Sequence, residues 1–177
     1  MIKIYTTLED KDRVREKIKE IFFLTSSRKL FDSEELKEAF FKKWTSYYFE
    51  KRPGFIYVAI ENTPELNVLG YLTIEPDSLL AKDYFKDHAH YLLFEDFYAD
   101  FTAHLHINCH PDTQGKGVGS ALIKRASDDL KHIGFQGLHL ITSPTARNVD
   151  FYRKNGFTTE RTRTLNDINY LFMGKKL

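Results

Sequence analysis

The sequence predicts an α/β fold: a mixed, mostly antiparallel twisted sheet with helices on both faces and a parallel strand pair at its centre. Three observations predict it. The runs FIYVAI and NVLGYLTI follow each other as an antiparallel hairpin, strand and helix segments alternate strictly after residue 102, and two strand segments close the chain. Strand–helix–strand units require parallel neighbours, whereas hairpins are antiparallel. A chain of 177 residues is long enough for one domain with a sizeable core, so we expect a single domain over residues 1–177.

The first half of the chain contains a strand, two helices and the hairpin. The run IKIYT predicts a strand that ends near Thr6, and apolar residues then recur at helical spacing between residues 14 and 22. Ser33, followed by two glutamates, opens a second helix that Pro53 and Gly54 stop. The hairpin strands are separated by three turn residues, namely Asn62, Thr63 and Pro64.

The second half begins with an acidic and aromatic segment, residues 78–101, which we interpret as one or two helices. The strand AHLHINC, the helix GSALIKRASDDLKHIG, the strand GLHLITS and the helix RNVDFYRKNG then follow in order. Gly134 and Gly156 end the two helices. The last two strands run from Phe157 towards Arg163 and from Ile168 towards Met173.

Composition and charge narrow the range of partners and compartments. The net charge is +1 and no run is rich in Lys or Arg, so we expect no nucleic-acid partner. No run approaches the ~18 apolar residues of a membrane helix, and the N-terminal stretch is too charged for a secretory signal. A single cysteine, Cys109, cannot form an internal disulfide. We therefore expect a cytoplasmic protein, without membrane partners, that is either a monomer or a homodimer.

A glycine-rich junction between a strand and a helix is the most informative stretch of the chain. It comprises Gln114, Gly115, Lys116, Gly117, Val118, Gly119 and Ser120. Glycines let the backbone approach a ligand closely, and the first helical turn offers unpaired N–H groups at the positive end of the helix dipole. That geometry suits a pyrophosphate. The alternative is a flexible turn before an ordinary helix start.

Two common phosphate loops do not fit this junction. A P-loop needs a hydroxyl residue after its lysine, but Gly117 follows Lys116. A dinucleotide fingerprint has its third glycine one residue later and an acid at the end of the next strand, which here ends in Thr142 and Ser143.

The junction instead resembles the Gln/Arg-x-x-Gly-x-Gly/Ala motif of the GCN5-related N-acetyltransferase (GNAT) family, and it matches that motif at every fixed position. The run SPTARNVDFYRKNGF is similar to the second motif of the family. The likeness is clear over residues 103–157 and extends to the rest by order of elements. It implies the acyl-CoA N-acyltransferase fold, acetyl-CoA as co-substrate, and transfer of an acetyl group to an amine of a small molecule or protein by direct attack.

The resemblance also implies roles for individual residues. The backbone amides of the junction would bind the coenzyme A pyrophosphate, and the preceding strand would pair with the pantetheine arm through the backbone of Ile107, Asn108 and Cys109. Asn148 and Tyr152 lie one turn apart on a helix face. In the family, the matching Asn contacts pantetheine and the matching Tyr donates a proton to the departing thiolate. The alternative for Tyr152 is a packed core ring.

The general base is less well defined by the sequence. Some family members carry a strand glutamate where this chain has Ala103. His104 and His106 alternate on the same strand, their intrinsic pKa near 6.5 suits proton transfer, and His-Leu-His is similar to the two-histidine strand of serotonin N-acetyltransferase with a one-residue offset. A bulge would absorb that offset. A structural or surface role is the alternative for each histidine. Together with Cys109 and His110 they suggest a metal, but Cys109 alternates to the opposite face and no well-spaced carboxylate completes a site, so we predict none.

Alternatives also remain for the residues that bind the acceptor amine and the coenzyme A 3′-phosphate. The acidic residues Glu95, Asp96 and Asp100 lie among aromatic residues. They either form an acidic wall, that is, a binding surface for a cationic amine, or belong to a helix with one solvent-exposed and one packed face. Basic residues at positions 147, 153 and 154 either meet the 3′-phosphate or are ordinary exposed cations. Because the strand glutamate is missing, a catalytically silent acyl-CoA-binding sensor or interaction module is the alternative function, and an unrelated nucleotide-binding enzyme is a third.

Overall fold

A computed structural model of the chain describes residues 1–61, 63, 65–86 and 89–177, without the side chain of residue 89. Its strands are β1 (Ile2–Ile4), β2 (Ile56–Ile60), β3 (Val68–Glu75), β4 (Ala103–Cys109), β5 (Gly137–Thr142), β6 (Thr159–Leu165) and β7 (Ile168–Lys176). Its helices are α1 (Lys11–Thr25), α2 (Glu34–Lys51), α3 (Lys82–Phe85), α4 (Ala89–Leu92), α5 (Val118–His132) and α6 (Val149–Lys154). The strands form a 7-stranded sheet in the order β1-β2-β3-β4-β5-β7-β6.

The predicted mixed sheet is confirmed. β4 and β5 pair in parallel, whereas β1 with β2, β2 with β3, β5 with β7 and β6 with β7 pair antiparallel. The chain divides into two compact units: unit 1 comprises residues 1–74 and 106–125, and unit 2 comprises residues 75–105 and 126–177. Each boundary falls inside a strand or a helix, namely β3, β4 or α5.

Unit 1 contains the N-terminal strands and the two long helices. α2 begins at Ser33 as the sequence predicts, and at the start of both helices a side-chain oxygen accepts from a backbone N–H of the first turn. Asp10 accepts from Arg13 at 3.0 Å ahead of α1, and Ser33 accepts from Leu36 at 3.3 Å ahead of α2. Apolar residues of both helices are buried, among them Ile18, Ile21 and Phe41.

Unit 2 contains the parallel pair and the C-terminal hairpin. The β4–β5 register includes Ala103↔Leu138 and His104↔His139. Phe101 covers two glycines: a Cβ on Gly137 would lie 2.9 Å from the Phe101 ring, and one on Gly174 would lie 2.7 Å from it. Glycine at both positions therefore allows the Phe101 ring to pack closely against β5 and β7.

The first strand differs from the sequence-based expectation, whereas the acidic and aromatic segment is helical as expected. The first strand ends at Ile4 rather than near Thr6, because residues 5–7 turn into a 3-10 helix in which the Thr7 hydroxyl donates to Ile4 O at 2.8 Å. The segment 78–101 forms two short helices and the 3-10 turn Glu95–Phe97. Residues 87 and 88 of this segment, and the predicted turn residues Asn62 and Pro64, lie outside the described residues. Across the described ranges, no helix combines the length and the apolar character needed to cross a membrane.

Candidate active site

The glycine junction bends through the left-handed backbone region at two positions. Gly115 has φ +76° and Gly117 has φ +82°, values that disfavour any residue with a Cβ atom. A Cβ built on either residue would meet no heavy atom within 4 Å. The backbone at both positions thus faces open space, where a ligand can approach closely.

The bend leads directly into α5 and leaves helical amides available. The first helical hydrogen bond runs from the Ala121 N–H to Gly117 O at 3.0 Å. The N–H groups of residues 118–120 precede that bond, so helix geometry gives them no intrahelical acceptor. They stand at the positive end of a 15-residue helix. Together with the exposed glycines, these amides can bind an anion such as a diphosphate.

Thr113 anchors the junction to β3. This residue was not identified from the sequence. The buried Thr113 hydroxyl lies 3.0 Å from Leu69 O and 2.8 Å from His110 O. The His110 N–H donates to Leu69 O at 2.9 Å. The chain is therefore fixed immediately before the bend.

Asn108 is held by its side chain, which supports the prediction that only its backbone is available to a ligand. Its Nδ2 donates to the Tyr71 hydroxyl at 2.9 Å, and its Oδ1 accepts from the Thr25 hydroxyl at 2.9 Å. β3 also runs close to this point, since a Cβ on Gly70 would lie 3.0 Å from Asn108 O and 3.0 Å from Cys109 Sγ. The polar residue near the end of β4 was the signal for these contacts.

β4 continues past the residues that pair with β5. The pairing includes Ala103 and His104, whereas β4 continues to Cys109. Residues 106–109 are all partly exposed. An extended backbone of this kind has N–H and C=O groups that can pair with the amides of an extended ligand.

Cys109 is unsuited to nucleophilic catalysis. Desolvation by burial raises the pKa of its thiol to about 11. The thiolate is the reactive form of cysteine, so the thiol is inert near neutral pH.

The two candidate histidines have different surroundings. The ring of His106 is partly exposed in unit 1 and lies edge-on to Trp44 and Tyr48, with centroid distances of 6.4 and 6.0 Å. His104 is 4% exposed in unit 2 and stacks on His139 at 4.9 Å. Burial inside an aromatic cluster disfavours proton exchange with a substrate, so His106 is the better placed of the two.

Asn148 and Tyr152 are brought together as predicted. Asn148 precedes α6, and its Nδ2 donates to the Tyr152 hydroxyl at 3.3 Å. The tyrosine oxygen thereby acts as an acceptor, and a phenolic hydroxyl can also act as a donor. Tyr152 is 6% exposed and its ring lies edge-on to Phe157 at 5.8 Å. Core packing and a donor role are therefore compatible in this residue.

The acidic residues before β4 are engaged by cations of the chain. Glu95 pairs with Lys82, Asp100 Oδ1 lies 3.4 Å from Lys176 Nζ, and Asp96 receives a double hydrogen bond from Arg163 with one distance of 2.7 Å. The hydrogen bonds from Arg163 lower the pKa of the Asp96 carboxyl. This pairing supports the structural alternative for the acidic wall.

The basic residues in and just before α6 are not equivalent. Arg153 Nε donates to Glu160 at 2.7 Å and its Nη1 to Asp150 at 2.9 Å. Arg147 and Lys154 are exposed and remain the candidates for a 3′-phosphate contact. In the part of the chain that the structure describes, no three His, Cys, Asp or Glu residues converge as metal ligands.

Known families and structures resemble this chain. The sequence model of the acetyltransferase (GNAT) domain matches residues 52–159. An N-acetyltransferase from Staphylococcus aureus Mu50 superposes with a TM-score of 0.57 at 17% identity, over 99% of this chain and 97% of that one. A ribosomal-protein-alanine N-acetyltransferase from Brucella melitensis gives 0.59 at 18% identity, over 100% and 99% of the two chains. A chain of the NatC complex bound to Gag peptide and CoA gives 0.63 at 14% identity, over 100% and 98%. At these identities the structural likeness establishes the fold.

Proposed function

Because the chain belongs to the GNAT acetyltransferase family, whose domain model matches residues 52–159, we propose that it is an acetyl-CoA-dependent N-acetyltransferase. The acceptor would be an amine of a small molecule or a protein, acetylated by direct attack on the thioester. We assign the activity to residues 1–177 as one cytoplasmic domain, acting as a monomer or a homodimer. The unit boundaries fall inside β3, β4 and α5, which supports one domain.

The observation that carries the proposal is the open glycine bend at the start of α5. Gly115 and Gly117 have positive φ, and no heavy atom lies within 4 Å of a Cβ built on either one. We propose that the stretch from Gln114 to Ser120 binds the coenzyme A diphosphate through backbone amides, chiefly those of residues 118–120. The N–H groups of Gln114 and Lys116 already donate to Pro111 O and Thr113 O, each at 3.2 Å. A flexible turn with no ligand would not require two left-handed glycines facing open space at the start of a helix.

The pantetheine arm would bind along β4. Its two amides match the donors and acceptors of an extended backbone, and the part of β4 from Ile107 to Cys109 supplies such groups. The side chain of Asn108 is occupied by Thr25 and Tyr71, so its contribution would come from the backbone. Asn148 would contribute a polar contact in addition to its bond to Tyr152.

Proton transfer would depend on His106 and Tyr152. An amine with a pKa near ~10.4 is almost wholly protonated at neutral pH, so it must lose a proton before it can attack. His106, partly exposed and with an intrinsic pKa near ~6.5, would take that proton. His104, which is buried, would act further from the acceptor as a second proton carrier or would support the aromatic cluster. As the C–N bond forms and the C–S bond breaks, Tyr152 would donate its proton to the sulfur.

One observation favours the silent sensor as the second candidate. Ala103 occupies the family's glutamate position, so no carboxylate is present there, and the residue is fully buried. A sensor would retain the glycine bend and the β4 backbone but release no thiol.

Two measurements test the proposal. Acetyl-CoA, ATP and NAD are compared in a thermal-shift assay, where a ligand that binds only the folded state raises Tm. We expect acetyl-CoA alone to do so, and a shift with ATP or NAD instead would overturn the proposal. Thiol release with a panel of amines then separates enzyme from sensor. Binding without thiol release from any amine would favour the sensor.

A further inference from the structure

Three side chains of unit 1 connect the end of α1 to β4 and β3. Thr25 is the last residue of α1, and its hydroxyl lies 2.9 Å from Asn108 Oδ1. Asn108 Nδ2 lies 2.9 Å from the hydroxyl of Tyr71, which is 2% exposed. A primary amide has one oxygen and one NH₂ group, so both ends of Asn108 are satisfied on opposite sides.

The bridge acts where β4 already lies close to β3. A Cβ on Gly70 would lie 3.0 Å from Asn108 O and 3.1 Å from Cys109 Cα, which is a tight contact. The Thr25 hydroxyl also lies 2.8 Å from Ile21 O, so its single proton is shared between Asn108 and the last turn of α1. Backbone contact on one side and the amide on the other therefore fix the orientation of the Asn108 peptide groups.

We propose that Thr25 and Tyr71 are positioning residues for acyl-CoA binding, which they support through the side chain of Asn108. This inference rests on the proposed function, since it assumes that pantetheine pairs with the β4 backbone. Such pairing requires N–H and C=O groups held within about 0.5 Å of the correct position. Thr25 and Tyr71 touch no ligand in this scheme, because they act only on the strand that does.

Thr25→Val is the first test, since valine keeps the shape of threonine and removes the hydroxyl. Thr45→Val is its matched control. Thr45 is also a buried helical threonine of unit 1, but its hydroxyl donates to Phe41 O at 2.7 Å within its own helix. Isothermal titration with coenzyme A measures Kd, and thermal unfolding measures the general cost of each substitution.

We expect Thr25→Val to weaken coenzyme A binding about 3- to 10-fold, the effect of losing one hydrogen bond that holds the site in place. Thr45→Val should lower Tm and leave Kd within about twofold of the wild type. Thr25→Ser, which restores the hydroxyl, should return Kd to the wild-type value. In steady-state kinetics the KM for acetyl-CoA should rise in Thr25→Val while the KM for the amine stays constant.

Tyr71→Phe tests the other end of the bridge and guards against failure of the Thr25 variant to fold. Its control is Tyr5→Phe, since Tyr5 is a buried tyrosine of the same unit whose hydroxyl lies 3.2 Å from Lys11 O. Tyr71→Phe should weaken binding by a similar factor and Tyr5→Phe should not.

Equal Kd values in Thr25→Val and Thr45→Val, or a Thr25→Ser variant as weak as Thr25→Val, would overturn the inference and leave a purely structural bridge. Those outcomes are distinct from failure of the proposed function, which would appear as absence of coenzyme A binding in the wild-type protein.

Discussion

Gly117→Ala separates the conformational role of the glycine bend from its role in binding. Gly117 has φ +82°, and a Cβ there would meet no heavy atom within 4 Å. The cost to folding is therefore backbone strain alone, about 1–2 kcal/mol for a residue with a Cβ in the left-handed region. For a chain of 177 residues, that loss lowers Tm by about 2–8 °C.

The effect on binding should be larger. The added methyl group would occupy the space that we assign to the diphosphate, beside the amides that lead into α5. Loss of one hydrogen bond to a charged group costs about 1.5–3 kcal/mol. We therefore expect the Kd for coenzyme A to rise about 10- to 150-fold.

Gly134→Ala is the control for this prediction. Gly134 lies after the C-terminal end of α5, has φ +93° and is also open within 4 Å. It should lose a similar Tm, measured by thermal unfolding, while calorimetric titration gives an unchanged Kd for coenzyme A. Equal Kd values in the two alanine variants would refute the assignment of the diphosphate to the bend.

Three further changes test the remaining assignments. Tyr152→Phe should lower kcat at least about 100-fold, the usual contribution of a positioned acid, and leave acetyl-CoA binding within about twofold. Replacing His106 with glutamine should remove the basic group from the pH–rate profile, and an unaltered profile would discard His106 as the base. Gly174→Ala would place a Cβ 2.7 Å from the Phe101 ring and should lower the free energy of unfolding by about 1–3 kcal/mol in denaturant titration.

Matched variants accompany these changes. Tyr84→Phe removes a hydroxyl from an exposed tyrosine and should leave kcat unchanged. Gly54→Ala adds a Cβ where no atom lies within 4 Å, so a loss of stability as large as that of Gly174→Ala would contradict the steric argument.

Cys109 provides a pH-dependent test of burial. Its folded-state pKa of about 11 lies above the ordinary value for a thiol, so folding favours the protonated form. The associated stability is complete below the unfolded pKa and is lost as pH rises towards 11. Alkylation by iodoacetamide, followed by mass spectrometry, should increase steadily between pH 8 and 11. A plateau near pH 9 would show that the thiol is not desolvated.

Local signals were sufficient for most of the fold and for the glycine bend of the candidate site. Helix starts at Ser33, helix ends at Gly134 and Gly156, and the alternation of elements after Ala103 all depend on residues close together in the chain. The same holds for the glycine bend, since positive φ and the start of a helix are set by adjacent residues. The short helices of segment 78–101 were not resolved in advance, because its aromatic residues lack one clear period.

The sequence by itself determined the family, the mixed sheet and the placement of the glycine bend between β4 and α5. Only the tertiary structure decided which side chains are already engaged: Asn108 by Thr25, 83 residues away, and Asp96 by Arg163, 67 residues away. It also placed His104 in an aromatic cluster and His106 beside Trp44. The physical reason is the distance along the sequence over which each property is set. Backbone conformation follows from neighbours in the chain, whereas burial, ion pairing and desolvation depend on residues that folding brings together.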